Sequence, residues 1–384
     1  MAESIAGWLS LACLALAMLG CAYTLAAAVL FREFLGRRAL VARAYPGVTI
    51  LKPLSGAEPG LRDNLTSFCA QDYPGSVQIL FGVQDPGDAA IPVVRAILAD
   101  SPGRDLELVV DPRRHGANGK VSNLINLAAQ IKHEIVLLAD SDIRVEPDHL
   151  SSVIGALSQP GVGLVTCLYR GARTAGWLAR LNAMAIDYHF LPSVVLGLKL
   201  GLARPCFGST IALRRDTLAA IGGFEAFADR LADDNAMGEA VRGAGMQVAI
   251  PSFCVEHTCT DTRLAGLIRH ELRWSRTIRA VDPWGFAGSA VTHPLPFALL
   301  GAAFAGFGAV ALWTLAAAIG CRLVLQVQVD HTLRLDSGRW WLGPVRDVLS
   351  FGIFVASFFV GVVSWRGQRY RVHSDGTLIK EAGS

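Results

Sequence analysis

Two carboxylates one residue apart, Asp140 and Asp142, follow directly on the apolar run Ile135–Ala139. At the end of a buried strand such a pair can share one divalent cation, or hold it directly through one and through water by the other. A pyrophosphate donor needs that cation, because its leaving group departs with extra negative charge. Aspartates also fill ordinary loops, and it is the place after a buried strand that points to chemistry. The segment His115-Gly116-Ala117-Asn118-Gly119-Lys120 opens a helical stretch carrying Asn123. Its glycines free the backbone to approach a ligand, and Lys120 offers a point charge for phosphate. The spacing is not that of a Walker loop, and a solvated strand–helix turn reads equally from it. Asp233 and Asp234 begin a further helical pattern, where carboxylates also serve as plain caps and dipole partners. Arg269, Arg273 and Arg276 fall on one helical face beside Trp274. That face suits a diphosphate, and Trp274 a sugar or lipid ring; a basic juxtamembrane helix meeting anionic headgroups is the other reading.

The elements that must carry these residues alternate. Val48–Leu51, Val77–Val83, Leu106–Val110, Ile135–Ala139 and Val162–Leu168 read as strands. Leu61–Ala70, Ala89–Ala99, Val121–Ile131 and Pro147–Leu157 read as helices, the last with Pro in its first turn. Alternation of this kind predicts a Rossmann-like α/β layer with a mostly parallel sheet. Ligands bind such sheets beyond the carboxyl ends of strands, where Asp85 and Asp140 both fall. Phe207–Arg215 followed by Ile221-Gly222-Gly223-Phe224 reads as strand, helix and glycine stop.

Of the 384 residues, 52% are hydrophobic and 17% charged, too apolar for a soluble enzyme. The net charge of +3 excludes a typical nucleic-acid binder. Eight cysteines form no CxxC pair and no zinc spacing, so they read as reduced structural residues. Three stretches are expected to cross a membrane: about 5–31, about 295–321 and about 348–365, the last flanked by Trp340, Trp341 and Trp365. Arginines after the first span (32, 37, 38, 43) and after the last (366, 369, 371) place both flanks in the cytoplasm by the positive-inside rule. The expected organisation is an anchor at 1–45, a catalytic domain at 46–282 with its face to the cytoplasm, and a membrane region with a cytoplasmic tail at 283–384. Within the domain, Trp177–Ala203 is unusually apolar. It reads as interfacial helices that admit a lipid or as a packed domain helix, with His189 a satisfied core histidine.

Taken in order, "VQDPGD", "ADSDIRV", "LADDNAM" and "HELRW" resemble the signatures of the ceramide glucosyltransferase family over about residues 46–282. The departure is His270, where that family shows Gln or Arg. "HGANGKVSNLIN" with "HELRWSRTIR" looks most like the bacterial branch associated with hopanoid biosynthesis. The resemblance implies a GT-A fold and inversion at the anomeric carbon by single displacement. It makes Asp234 the general base and puts Asp85 on the nucleotide base. Asp140 and Asp142 hold the donor diphosphate through Mg²⁺ or Mn²⁺, Lys120 and Arg273 stabilise the departing nucleoside diphosphate, and Trp274 shapes the acceptor pocket. The implied partners are a UDP-sugar, a lipid hydroxyl and the membrane, in a multi-pass protein of the bacterial inner membrane. N-acetylglucosamine transfer to bacteriohopanetetrol is the first expectation. Glucosylceramide synthesis and a non-catalytic membrane scaffold are the alternatives.

Overall fold

A computed structural model describes residues 2–38, 40–172, 176–261, 263–335, 340–359, 363–365, 368–372 and 378–380. The chain divides into two units. One comprises Met1–Arg37, Ala175–Arg204 and Asp261–Val363; the other comprises Arg38–Thr174, Pro205–Thr260 and Ser364–Ser384.

The second unit is the α/β layer. Its strands are β1 (Val48–Pro53), β2 (Val77–Val83), β3 (Asp105–Val110), β4 (Ile135–Leu138), β5 (Ile143–Arg144), β6 (Val162–Thr166), β7 (Leu168–Ala172), β8 (Ile211–Arg214), β9 (Gln247–Ala249) and β10 (Cys254–Thr258). Seven pair in the order β3-β2-β1-β4-β8-β6-β9, and β5-β10-β7 form a small second sheet. In the large sheet β8 is antiparallel to both β4 and β6, while the other neighbours are parallel. This is the mostly parallel layer expected of a GT-A domain. Its central strands are largely buried and apolar on both faces, as a sheet covered on both sides requires. Ile50, Ile79 and Leu137 point to one core with Leu65, Phe68 and Val153. Their neighbours Leu51, Leu80 and Leu138 point to the other, with Leu124 and Met237. The chain leaves β1 toward β2 on one side, and β4 lies on its other side. That switch in strand order opens a crevice at the carboxyl ends of β1 and β4.

The first unit is helical, and three of its helices are long and apolar enough to cross a membrane: Ser4–Leu35, Trp177–Lys199 and Ala309–Leu333. The first covers the stretch 5–31. The expected span at 295–321 is instead two helices, Pro294–Phe304 and Ala309–Leu333. The chain turns between them at Gly306 and Phe307, both with positive φ. An uninterrupted apolar run hides such a turn, because it has no polar face to lose its period. Pro294–Phe304 runs antiparallel to the first helix: Gly20 faces Val291 and Pro294, and Ser10 donates to the Gly301 carbonyl at 2.9 Å. The stretch expected to span at 348–365 is the 15-residue helix Gly343–Ser357, followed by a short strand at Val363–Trp365. Trp177–Lys199 belongs to this helical unit, and it contains one π-helical turn at Ile186–Phe190.

Charges inside this unit are paired, which lets the helices run through them. Arg322 donates to both oxygens of Asp347 at 2.8 and 2.7 Å, and His189 meets the same carboxylate at 2.7 Å. Tyr188 donates to Asp330 at 2.6 Å. Arg346, 1% exposed, forms a two-pronged pair with Glu271. Removing one partner of a buried pair leaves an uncompensated charge, which costs about 3–5 kcal/mol. Arg346→Met is therefore expected to lower the unfolding temperature of the detergent-purified protein sharply. The double change Arg346→Met with Glu271→Leu should recover most of the loss, and a thermal melt of the three proteins checks it.

Candidate active site

The turn after β4 is clamped from three sides. Lys52, fully buried at the end of β1, donates to the Asp140 carbonyl at 2.5 Å, with its ammonium 3.9 Å from the Phe68 ring centre. Asn64 donates to the Ser141 carbonyl at 3.2 Å. The Thr258 amide at the end of β10 donates to the Asp142 carbonyl at 2.8 Å. Burial pushes the Lys52 ammonium down to about 7, partly opposed by Asp140 and Asp142. The two carboxylates thus project from a backbone that cannot shift independently of β1 and β10.

Lys120 is the hub. Its ammonium lies 2.7 Å from Asp140 and 3.3 Å from Asp233. Burial alone would lower its pKa, but the carboxylates of Asp140, Asp233 and Asp234 overcome that and hold it well above the ordinary lysine value. Asn118 sets the start of the helix Gly119–Ala128 by accepting from the Lys120 and Val121 amides at 2.9 and 3.2 Å. The same side chain donates to Asp233 at 3.2 Å and to the Arg230 carbonyl at 2.8 Å. The glycine-rich loop is therefore docked on residues 228–233. A Cβ on Gly116 would stand 2.6 Å from the Ala228 carbonyl oxygen. That close approach is to protein backbone, where a ligand was the expected neighbour.

Asp234 sits at the first turn of the helix Asp233–Gly243. Its carboxylate accepts from the Gly208 amide at 2.9 Å and from the Asn235 amide at 2.7 Å. Burial and the neighbouring Asp233 raise its pKa to about 6, against the pull of Lys120. Gly208 also packs into the hub, where a Cβ would stand 2.7 Å from an Asp140 oxygen and 2.8 Å from the Lys120 nitrogen. Gly208→Ala is accordingly expected to pry this pair apart, cutting nucleotide release and lowering the melting temperature. Steady-state assays beside a thermal melt check it.

Asp142 faces His257, whose Nε2 is 3.2 Å from its carboxylate. Burial would lower this imidazole's pKa, but Asp142 overrides burial and holds it well above the usual value. Sequence reasoning did not single out His257 or Lys52, and it read Gly208 only as part of the strand Phe207–Arg215. His257 lies in a stretch read only for zinc spacing, and pairing of β10 with β5 and β7 is what brings it to Asp142.

Asp140 and Asp142 offer hard carboxylate oxygens, ligands that fit Mg²⁺ or Mn²⁺. Among the described residues no three such side chains already converge on one point. Asp140 is turned onto Lys120 and Asp142 onto His257. Asp85 stands exposed beyond β2, where its carboxylate accepts from the Gly87 amide at 2.8 Å. It joins the Lys120 cluster through no hydrogen bond or ion pair among the described residues.

Arg273 and Trp274 lie on Leu264–Val281, in the helical unit. His270 on that helix approaches Asp261 at 3.3 Å, and its ring lies edge-on to Trp274 with centres 4.4 Å apart. The residue that departs from the family pattern thus contacts the tryptophan of the same motif.

Comparison with known proteins sets this geometry in context. Ceramide glucosyltransferase 1 of Caenorhabditis elegans is 23% identical over 346 residues, which is 87% of this chain and 73% of that protein. An N-acetylglucosaminyltransferase of Rhizobium meliloti is 26% identical over 247 residues, 61% of this chain and 56% of the relative. The mannosyltransferase PcManGT from Pyrobaculum calidifontis, solved with GDP-Man and Mn²⁺, overlays with a TM-score of 0.49 at 20% identity, covering 90% of this chain and 99% of that one. The pattern that defines the family described as Glycosyl transferase family 21 matches residues 12–378, nearly the whole sequence, and the chain belongs to that family of glycosyltransferases.

Proposed function

We propose that this chain transfers a sugar, with inversion, from a UDP-sugar to the hydroxyl of a membrane lipid. The observation that carries this reading is the cluster at the crevice of the sheet. There Lys120 gathers Asp140 and Asp233, and Asp234 is held beside it by the Gly208 amide. Asp234 takes the acceptor proton as the hydroxyl attacks. Its carboxylate is oriented by two backbone amides, and its raised pKa brings it nearer the range in which a base is effective. Lys120 neutralises charge on the departing diphosphate, and Arg273 adds a second cation to it. Asp85 contacts the nucleotide base, and Trp274 shapes the acceptor pocket. Asp140 and Asp142 would hold Mg²⁺ or Mn²⁺, which when bound neutralises the diphosphate further.

The membrane-length helices favour a lipid acceptor, since an enzyme anchored in the bilayer meets its lipid without extracting it into water. Arg32, Arg37 and Arg38 at the end of the first helix, and Arg334 after the last long one, favour a cytoplasmic face. For the acceptor, a hopanoid polyol receiving N-acetylglucosamine is the first choice. The bacterial N-acetylglucosaminyltransferase relative favours N-acetylglucosamine as the sugar, and the "HELRW" motif is the reason for naming a hopanoid. Glucose transfer to ceramide is the second reading, supported by the longer match to the nematode ceramide glucosyltransferase. Detergent-purified protein is to be given UDP-N-acetylglucosamine or UDP-glucose with bacteriohopanetetrol or ceramide, and the lipids read by mass spectrometry. Glycosylated hopanoid with the first donor is the expected product. Glucosylceramide alone would replace the first choice by the second, and absence of nucleotide release with every pair would make the chain a scaffold.

A further inference from the structure

The helices Ala2–Leu35 and Ala309–Leu333 run parallel. Ala17 and Cys21 pack near Ala318, and farther along Leu25 and Val29 share a groove with Val324. Toward their carboxyl ends the groove between them has a volume of about 540 Å³. Its walls are apolar and open: Leu25 is 43% exposed, Val29 67% and Val324 52%. Both helices are long and apolar enough to cross a membrane, and exposed apolar walls on such helices suit hydrocarbon. The rim is polar, with Arg32, Glu33 and Gln328. Glu33 is already engaged, by Lys199 at 2.5 Å and by Arg37 at 3.6 Å. Arg37 and Lys199, which lie outside the lining, thus both pair with Glu33 and more than neutralise it, which leaves the Arg32 charge at the rim in excess.

A trough of hydrocarbon character that ends in excess positive charge matches one molecule of the surrounding bilayer: an anionic glycerophospholipid. We propose that this groove binds one such lipid, with an acyl chain along Leu25, Val29 and Val324 and its phosphate at Arg32. A zwitterionic lipid offers the same chain but carries its own ammonium into a mouth that is already cationic. The site consists of residues of the helical unit alone and stands independently of the reading of the transferase reaction.

Native mass spectrometry of the full-length protein in detergent, titrated with phosphatidylglycerol or with phosphatidylcholine of the same chains, tests this. The expected result is one saturable phosphatidylglycerol adduct, held at least tenfold more tightly than phosphatidylcholine. Arg32→Gln should weaken it about fivefold, the loss that removal of one basic contact to an anionic surface brings, and should erode the headgroup preference. Val324→Trp, which fills the trough, should abolish the adduct for both lipids. Both substitutions are at exposed positions, and equal melting temperatures without lipid show that the fold is kept. Equal retention of the two lipids, or several unsaturable adducts indifferent to Val324→Trp, would overturn the proposal.

Discussion

Asp234→Asn is expected to reduce turnover by about 10²–10⁴-fold, the range of a general base, while the donor still binds. The amide is isosteric, and its one oxygen can keep the Gly208 amide now 2.9 Å away, while the bond from the Asn235 amide to the second carboxylate oxygen is given up. What it loses is the ability to take a proton from the acceptor. The loss should therefore fall on kcat and leave the affinity for UDP, measured by calorimetry, within a few-fold. The wild type adds a second mark. A base must be ionised to act, and burial with Asp233 raises this one to about 6. Activity should then be full above that pH and fall as pH drops through it. In Asp234→Asn the residual rate should lack that acid limb. A variant that keeps both wild-type turnover and the limb would remove Asp234 from the role and turn attention to Asp233.

The fold of the α/β unit was legible because its strands are short, apolar and punctuated. Ile135–Ala139 ends at Asp140 as a covered strand should, and β1, β2 and β4 appear where the alternation puts them. The small sheet was not legible. β5 is two residues long and β10 pairs with strands more than eighty residues away in sequence, so no local pattern announces His257 beside Asp142. Lys52 was missed for a related reason. A lysine at a strand end reads as a surface residue until a neighbouring strand supplies a carbonyl and Phe68 a ring to cover it. The membrane helices show the opposite failure. Hydropathy identified the apolar stretch after Pro294, but a window that averages twenty residues cannot see the turn at Gly306 and Phe307. It also stops at Arg322, although the helix continues to Leu333 because Asp347 neutralises that arginine.

Lys120→Met is expected to be the other severe change, and for a different reason. Methionine nearly matches the volume of the lysine stem, so packing against the helix is kept while the charge is lost. Asp140 and the buried Asp233 then lose the ammonium that lies 2.7 and 3.3 Å from them. Three carboxylates, with Asp234, are left to repel one another in a poorly solvated crevice. Two consequences follow from one missing charge. The departing diphosphate loses its stabilising cation, which is expected to lower kcat by about 10²–10³-fold. Asp234 also loses the group that pulls its pKa down, so the acid limb of the residual activity should move to higher pH. Lys120→Arg keeps the charge and should leave that limb near its wild-type place even if its bulk costs turnover. Added Mn²⁺ should stabilise Lys120→Met against heat more than it stabilises the wild type, because the cation no longer competes with an ammonium for Asp140. A limb that stays fixed in Lys120→Met, with a wild-type response to Mn²⁺, would mean that Lys120 does not set the charge of this cluster.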